Sequence, residues 1–329
     1  MKVFFTNVEA QASKSAYDIL KNEEHLEIVG HKGPISEKEL SKAVEDFEVI
    51  VVDGRAHVSE EVINAGKKLR LLARTGIGLN NIDVQTATER GIFVTYTPGA
   101  NARGVAEQAF TMMMSSSRKL LLADRATRNG NYGFRNKNIG VELQKKTLGI
   151  IGLGAIGKHL ARIAYHGFEM KILVFDPYLT HQDVEEHNAE LVELERIIIE
   201  SDYISVNCPL TDETRGLLGE NEFKKMKKTA FVVNTARGGI IDEKALYHAL
   251  TNGDIAGAGL DVLEGEPELD PENPLFKLDN IIFAPHCGGI TEEALQRVGE
   301  DVADSVMKML QNEIPRKELV VNKKLLSDT

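Results

Sequence analysis

The sequence predicts an α/β protein built from two parallel-sheet domains, and three observations carry that expectation. Strand-like and helix-like patterns alternate from the N terminus onward, as in βαβ units. A glycine cluster, Gly152, Gly154 and Gly157, stands between an apolar run and an amphipathic helical pattern. A second series of strand–helix repeats follows it, several of whose strands end in polar or charged residues. With 329 residues the chain is long enough for two cores, and 42% hydrophobic with 27% charged residues is ordinary for a globular protein.

In chain order, residues 3–5 read as a strand, 13–21 as a helix, 26–29 as a strand and 36–44 as a helix opened by Ser36 and Glu39 as a capping box. Residues 49–52 read as a buried strand, 59–67 as a helix, 71–73 as a strand, 84–89 as a helix and 92–94 as a strand. This unit has no complete glycine fingerprint of its own and is expected to hold a substrate. Three of its features fit that task. After residues 71–73 comes Arg74-Thr75-Gly76-Ile77-Gly78, where a cation coincides with glycines that free backbone N–H groups for an anion. Arg55 and His57 follow another strand, and Arg103 closes the phrase Pro98-Gly99-Ala100-Asn101-Ala102-Arg103. A lone surface Arg55 or His57 is more often merely solvated.

Residues 102–122 read as one long helix with Val105, Ala109, Met112 and Met113 on apolar faces, the methionines as core. The polar stretch 124–146, which includes Arg135, reads as a loop or arm, and a partner subunit is the expected thing for it to wrap.

The organising stretch is 147–176. An apolar strand enters Gly152-Leu-Gly154-Ala155-Ile156-Gly157, a helix follows, and a second apolar strand ends at Asp176. Gly152 permits the turn, Gly154 lets a pyrophosphate approach the backbone, and Gly157 allows close helix–strand packing. The helix N terminus offers free N–H groups to the phosphates. A carboxylate at Asp176 suits the two ribose hydroxyls and repels a 2′-phosphate, so the expected cofactor is NAD in a Rossmann domain.

Further on, 191–199 read as a helix, 203–207 as a strand before Cys208-Pro209, 220–225 as a helix and 230–233 as a strand ending in Thr235-Ala236-Arg237. After a helix at 242–250, strand 255–260 ends in Asp261 and the acidic loop with Glu266, and strand 280–283 ends in His286-Cys287-Gly288. A last helix is expected at 291–309. In open parallel sheets ligands bind beyond the carboxyl ends of strands. Arg237 can there hold a 2-oxo acid carboxylate, and His286 can exchange a proton with the carbonyl oxygen. Glu266 can favour the protonated imidazole and fix its tautomer, and Asp261 can bond the nicotinamide amide.

A net charge of -11 argues against nucleic acid as the main partner. Cys208 and Cys287 are too few for a disulfide scaffold or a zinc site and fit a reducing compartment. The opening M-K-V-F-F-T-N reads as a strand rather than a signal peptide, and no apolar run approaches membrane-spanning length. The expected location is cytoplasmic, with no metal and no membrane partner.

The segments G-L-G-A-I-G (152–157), C-P-L-T-D-E-T (208–214), N-T-A-R-G (234–238), L-D-V-L-E-G-E-P (260–267) and A-P-H-C-G-G (284–289) resemble the NAD-dependent D-2-hydroxyacid dehydrogenase family almost end to end. The resemblance implies a Rossmann domain, 101–286, inserted into a smaller flavodoxin-like substrate domain, 1–100 plus 287–329. It implies Arg237, Glu266 and His286 as the catalytic set. It places the cofactor on Gly152, Gly154, Ala155, Ile156, Gly157, Asp176, Cys208, Pro209, Thr214, Thr235, Ala236, Asp261, His286 and Gly288. Substrate contacts are implied at Arg74, Ile77, Gly78 and Arg237, and a homodimer is implied on the cofactor domains.

Within the family, R-T-G-I-G-L-N-N-I-D (74–83) and T-P-G-A-N (97–101) look most like the 3-phosphoglycerate dehydrogenase branch, without its C-terminal regulatory domain. That makes Arg74, and less so Arg135, candidate phosphate contacts. The loop after the third strand, usually Ser/Thr-rich with a lysine, is here Asp53-Gly54-Arg55-Ala56-His57. The usually serine-bearing loop at 101–104 is Asn-Ala-Arg-Gly. Both departures bear on the substrate rather than the reaction. A glyoxylate/hydroxypyruvate reductase and an NAD-sensing corepressor-like binding protein are the alternative readings.

Overall fold

The computed structural model describes residues 1–327. In chain order its elements are β1 (Lys2–Phe5), α1 (Gln11–Leu20), β2 (Glu27–Gly30), α2 (Glu37–Ala43), β3 (Val49–Val52), α3 (Glu60–Ala65), β4 (Leu71–Arg74), α4 (Val84–Glu89), β5 (Phe93–Thr95), α5 (Ala102–Ser117) and α6 (Leu120–Arg128). There follow β6 (Thr147–Ile151), α7 (Ala155–Phe168), β7 (Lys171–Phe175), α8 (His181–Glu185), β8 (Ala189–Leu191), α9 (Leu194–Glu200), β9 (Tyr203–Val206), α10 (Glu220–Lys225), β10 (Phe231–Asn234), α11 (Glu243–Asn252), β11 (Gly257–Leu260), β12 (Ile281–Phe283) and α12 (Glu292–Leu310). They form two compact units. One is Met1–Asn101 with the segment from Ile290 onward, and the other is Ala102–Gly289.

The first unit is a parallel five-stranded sheet in the order β2-β1-β3-β4-β5, the flavodoxin-like order. Its central strand β3, Val-Ile-Val-Val, is buried throughout, because helices cover both faces of a parallel sheet. On one face α12 packs against α1, and Gly299 lies against Ser15 with no room for a Cβ. The predicted capping box is present: Ser36 Oγ accepts from Glu39 N at 3.4 Å and Ser36 N donates to Glu39 at 3.1 Å.

The second unit is a parallel seven-stranded sheet in the order β12-β11-β10-β9-β6-β7-β8. The order reverses between β6 and β9, which is the switch point where Rossmann domains take their ligand. Helix α5 packs on β10 and β11. Gly259 makes that approach possible, since a Cβ there would stand 2.9 Å from Met112 Cβ. Met112 and Met113 are accordingly core residues, 2% and 0% exposed.

The structure differs from expectation in two places. The helix expected over 102–122 breaks at Lys119, whose φ is +49°. The Ser117 carbonyl leaves the helical ladder to accept Val141 N at 2.9 Å, and its hydroxyl is tied to Met113 O and Tyr203 Oη. Part of the stretch expected as a loop is therefore α6, followed by a 3-10 turn at Tyr132–Asn136. The helix expected over 191–199 is present as α9 but starts three residues later, because Leu191 ends the strand β8, which α8 precedes. A three-residue edge strand carrying exposed Glu190 has too little apolar pattern to announce itself.

Candidate active site

Two of the three turn glycines have a steric reason. Gly152 has φ +92°, and a Cβ on it would stand 2.9 Å from Cys208 N. Gly157 passes so close to the strand that a Cβ would stand 2.5 Å from Gly152 O. Gly154 is the opposite case. It caps α7, is exposed, and nothing lies within 4 Å of where its Cβ would be. That space is open at the N terminus of α7, whose first-turn amides have no acceptor within the helix, and a diphosphate fits such a place. Asp176, at the tip of β7, is held from both sides. Leu153 N donates to Oδ2 at 3.0 Å and Tyr178 N to Oδ1 at 3.1 Å. A carboxylate has about four acceptor sites, so lone pairs remain for two hydroxyls.

Cys208 and Pro209 abut this turn at the end of β9. Thr214 Oγ1 closes their loop, accepting from Thr211 N and donating to Pro209 O, each at 2.7 Å. Burial pushes the Cys208 thiol up to about 11, so it stays protonated. At the end of β10, Thr235 and Ala236 are 6% and 9% exposed. The Thr235 hydroxyl is buried with no hydrogen-bond partner among the described residues. An orphaned buried hydroxyl at the sheet's carboxyl edge suits a polar ligand group. These residues fit a dinucleotide.

The ends of β10, β11 and β12 present the arginine, the acid and the histidine that the sequence singles out. Arg237 is exposed on a turn whose Asn234 Nδ2 donates to Arg237 O at 2.8 Å. The next residue, Gly238, lies directly on the loop leading to Glu266: a Cβ would stand 2.5 Å from Glu264 N and closer still to the Leu263 carbonyl. That loop is held from below by Glu243, in the first turn of α11, which accepts Glu264 N at 2.7 Å. Burial pushes the Glu243 carboxyl above its usual range.

Glu266 Oε1 lies 2.6 Å from His286 Nδ1. A carboxylate acceptor places the proton on Nδ1 and leaves Nε2 to exchange one with a ligand. His286 has φ +52°, a left-handed conformation that costs a non-glycine residue of order 1 kcal/mol and persists only where its surroundings impose it. Asp261 imposes it. Its backbone carbonyl accepts His286 N at 2.8 Å, and its two carboxylate oxygens accept Cys287 N at 2.9 Å and Gly288 N at 2.8 Å. Only 2% exposed, Asp261 thus fixes the histidine turn, a role that its residue type did not announce. Glu243 was missed as well; an acid in a helix's first turn reads as helix-dipole pairing.

In the first unit, among the described residues, the N–H groups of Ile77 and Gly78 have no acceptor. Arg74 is half-buried, with Nε donating to Gly78 O at 2.9 Å and Nη1 to Val52 O at 3.4 Å. Three other arginines and histidines singled out by the sequence have surface partners. His57 faces Glu37 at 3.4 Å, Arg103 bonds Glu107 at 2.9 Å, and Arg135 lies 5.0 Å over the Tyr132 ring.

Residues 110–288 match the family model described as D-isomer specific 2-hydroxyacid dehydrogenase, NAD binding domain. The chain belongs to this dehydrogenase family. Its second unit is the family's NAD-binding domain. Among curated relatives, the chain is 42% identical over 298 residues to a D-3-phosphoglycerate dehydrogenase of Archaeoglobus fulgidus. That match covers 90% of this chain and 55% of the relative, so the chain spans about half that relative's length. It is 41% identical over 300 residues to a glyoxylate reductase of Korarchaeum cryptofilum, covering 90% of each. Among solved structures of the family, a D-lactate dehydrogenase of Aquifex aeolicus complexed with NAD and lactic acid aligns over 98% of this chain and 99% of its own, with TM-score 0.83 and 27% identity. No helix among the described residues is long and apolar enough to cross a membrane.

Proposed function

We propose that the protein is an NAD-dependent dehydrogenase of a short anionic D-2-hydroxy acid, with a 3-phosphoglycerate-like acid as the leading substrate and glyoxylate or hydroxypyruvate as the alternative. The observation that carries this reading is the 2.6 Å Glu266–His286 pair on a turn fixed by Asp261, at strand ends next to that of Arg237, in a chain of this family.

In the reducing direction Arg237 binds the 2-oxo acid's carboxylate and polarises the carbonyl. His286 gives its Nε2 proton to the carbonyl oxygen, and Glu266 stabilises the imidazole through Nδ1. The reduced cofactor, NADH, would be held on residues 152–157 and Asp176 and would supply the hydride when bound. Oxidation is the same exchange reversed, with His286 taking the proton. The amides of Ile77 and Gly78 are proposed to hold the substrate carboxylate.

A second copy of the chain is proposed as partner. Helix α6 buries no residue of its own, while Leu120, Leu121, Tyr132 and Ile139 are 55%, 54%, 71% and 80% exposed, more apolar surface than one arm leaves in water without cause. The two cysteines, both free, support a reducing compartment such as the cytoplasm.

The test is NADH oxidation by the purified protein against 3-phosphohydroxypyruvate, hydroxypyruvate, glyoxylate and pyruvate. Turnover with at least one of them, abolished by Arg237→Ala, is the expected result. NADH binding with no turnover on any acid would sink the reading.

A further inference from the structure

Glu266 stands in a loop whose own charges work against its closure. Five of the nine residues 264–272 are acidic, and like charges at such spacing repel one another. The loop must nevertheless hold the Glu266 carboxylate 2.6 Å from His286 Nδ1. Part of the hold is local, since Leu263 N donates to Glu266 Oε2 at 3.3 Å. The ion pairs on the loop add little. Arg215 lies 3.6 Å from Glu264 and Lys277 3.1 Å from Glu272, with all four side chains more than half exposed.

Across the base of the loop lies Glu243, half-buried in the first turn of α11. Its Oε1 accepts Glu264 N at 2.7 Å, and its Oε2 accepts Asn273 Nδ2 at 3.4 Å. One carboxylate thus spans the two limbs of the loop. Glu243 is not needed to cap its helix, because Asp242 does so by accepting Ala245 N at 2.9 Å. No cation pairs with it among the described residues, and burial pushes its carboxyl above the usual range against the pull of its two bonds. An acid kept half-buried without a cation is there for its acceptors. Only a carboxylate suits both limbs. A glutamine has one acceptor oxygen, so with that oxygen on Glu264 N its amide group would face Asn273 Nδ2, donor against donor. Asn273 cannot turn round without loss, because its Oδ1 accepts Leu275 N at 3.0 Å and caps the 3-10 turn Pro274–Lys277.

Resting on the dehydrogenase reading above, we propose that Glu243 is a positioning residue for proton transfer: by bridging Glu264 and Asn273 it closes the loop and keeps Glu266 on His286. It acts through Glu266 and meets neither substrate nor cofactor itself.

The experiment is a polarity swap in the full-length protein. Glu243→Gln keeps the shape of the side chain and loses the Asn273 limb. Adding Asn273→Asp restores a donor–acceptor pair there and leaves the second carboxylate oxygen to cap the turn. Turnover of the best 2-oxo acid with NADH is followed together with NADH binding. A glutamate-specific protease probes the loop, its cleavage sites being read by mass spectrometry. Glu243→Gln is expected to lower kcat roughly tenfold, to leave KM for the acid and Kd for NADH within about threefold, and to be cut within 264–272 about tenfold faster. The double variant is expected to return kcat and cleavage to within about threefold of wild type. A Glu243→Gln protein with wild-type kcat, a fall in kcat matched by an equal loss of NADH affinity, or a double variant no better than the single would overturn the proposal. A wild type that turns over no acid strikes the dehydrogenase reading instead, and the cleavage rates then still decide whether Glu243 closes the loop.

Discussion

Gly238→Ala isolates the contact that ties the Arg237 turn to the Glu266 loop. The φ of Gly238 lies outside the left-handed region, so alanine is tolerated by the backbone itself and the cost is steric. The new Cβ would stand 2.5 Å from Glu264 N and nearer to the Leu263 carbonyl, all backbone atoms that no rotamer change can clear. Ordinary contact begins near 3.4 Å, so one of the two loops must retreat by about 1 Å. Overpacking of this kind costs roughly 1–3 kcal/mol of stability. The kinetic effect is larger in proportion, because a displacement of about 1 Å in a positioned group can lower the rate on the order of a hundredfold. The assay is kcat/KM for the best 2-oxo acid with NADH, alongside thermal unfolding and NADH titration. The expected variant is folded, binds NADH through the separate 152–157 turn, and loses about two decades of kcat/KM. A folded Gly238→Ala protein with kcat/KM within about threefold of wild type would refute the reasoning.

Other outcomes follow from the same geometry. Gly167 lies in the last turn of α7 with nothing within 4 Å of its missing Cβ, so Gly167→Ala should raise stability, by up to about 0.5–1 kcal/mol in denaturant melts; a loss of stability would contradict that free space. Asp176→Ala should weaken NADH binding and reduce the preference for NADH over NADPH, measured by comparing kcat/KM with each; an unchanged ratio would remove Asp176 from cofactor selection. With the Cys208 thiol held up to about 11 by burial and that of Cys287 also raised, mainly by burial, thiolate is scarce at pH 8 and grows as pH rises toward that value. Iodoacetamide should therefore label the native protein far more slowly at pH 8 than the guanidine-unfolded chain, and equal rates would contradict the burial.

Most of the fold was legible because its signals are local. The alternation of apolar strands and amphipathic helices, the Ser36 capping box and the glycine spacing each act over a few residues, and both sheets follow from them. What the sequence hid depends on distant partners. The break at Lys119 arises from the Ser117 carbonyl turning to Val141 and its hydroxyl to Tyr203, which no pattern in 102–122 reveals. The three-residue β8 exists because β7 offers it an edge.

The same division runs through the site. The residue types at strand ends pointed to Arg237, Glu266 and His286, since proton transfer and carboxylate binding limit the choice of side chain. Asp261 and Glu243 were not readable in their structural roles, because accepting the amides of Cys287, Gly288 and Glu264 is a matter of fold, not of type. The turn before Arg55 is braced by bonds from Thr6 and Asn81 to Asp53, partners too distant in sequence for any local pattern to reveal.

The central claim is that His286, oriented by Glu266, moves the proton, while residues 152–157 and Asp176 supply most of the hold on the cofactor. It is tested most directly by His286→Asn, with NADH binding followed by fluorescence titration and turnover followed by NADH oxidation in the same preparation. The account expects NADH affinity within about threefold of wild type and a fall in kcat of roughly 10²–10⁴, the range general acid catalysis contributes. Turnover within tenfold of wild type would contradict it.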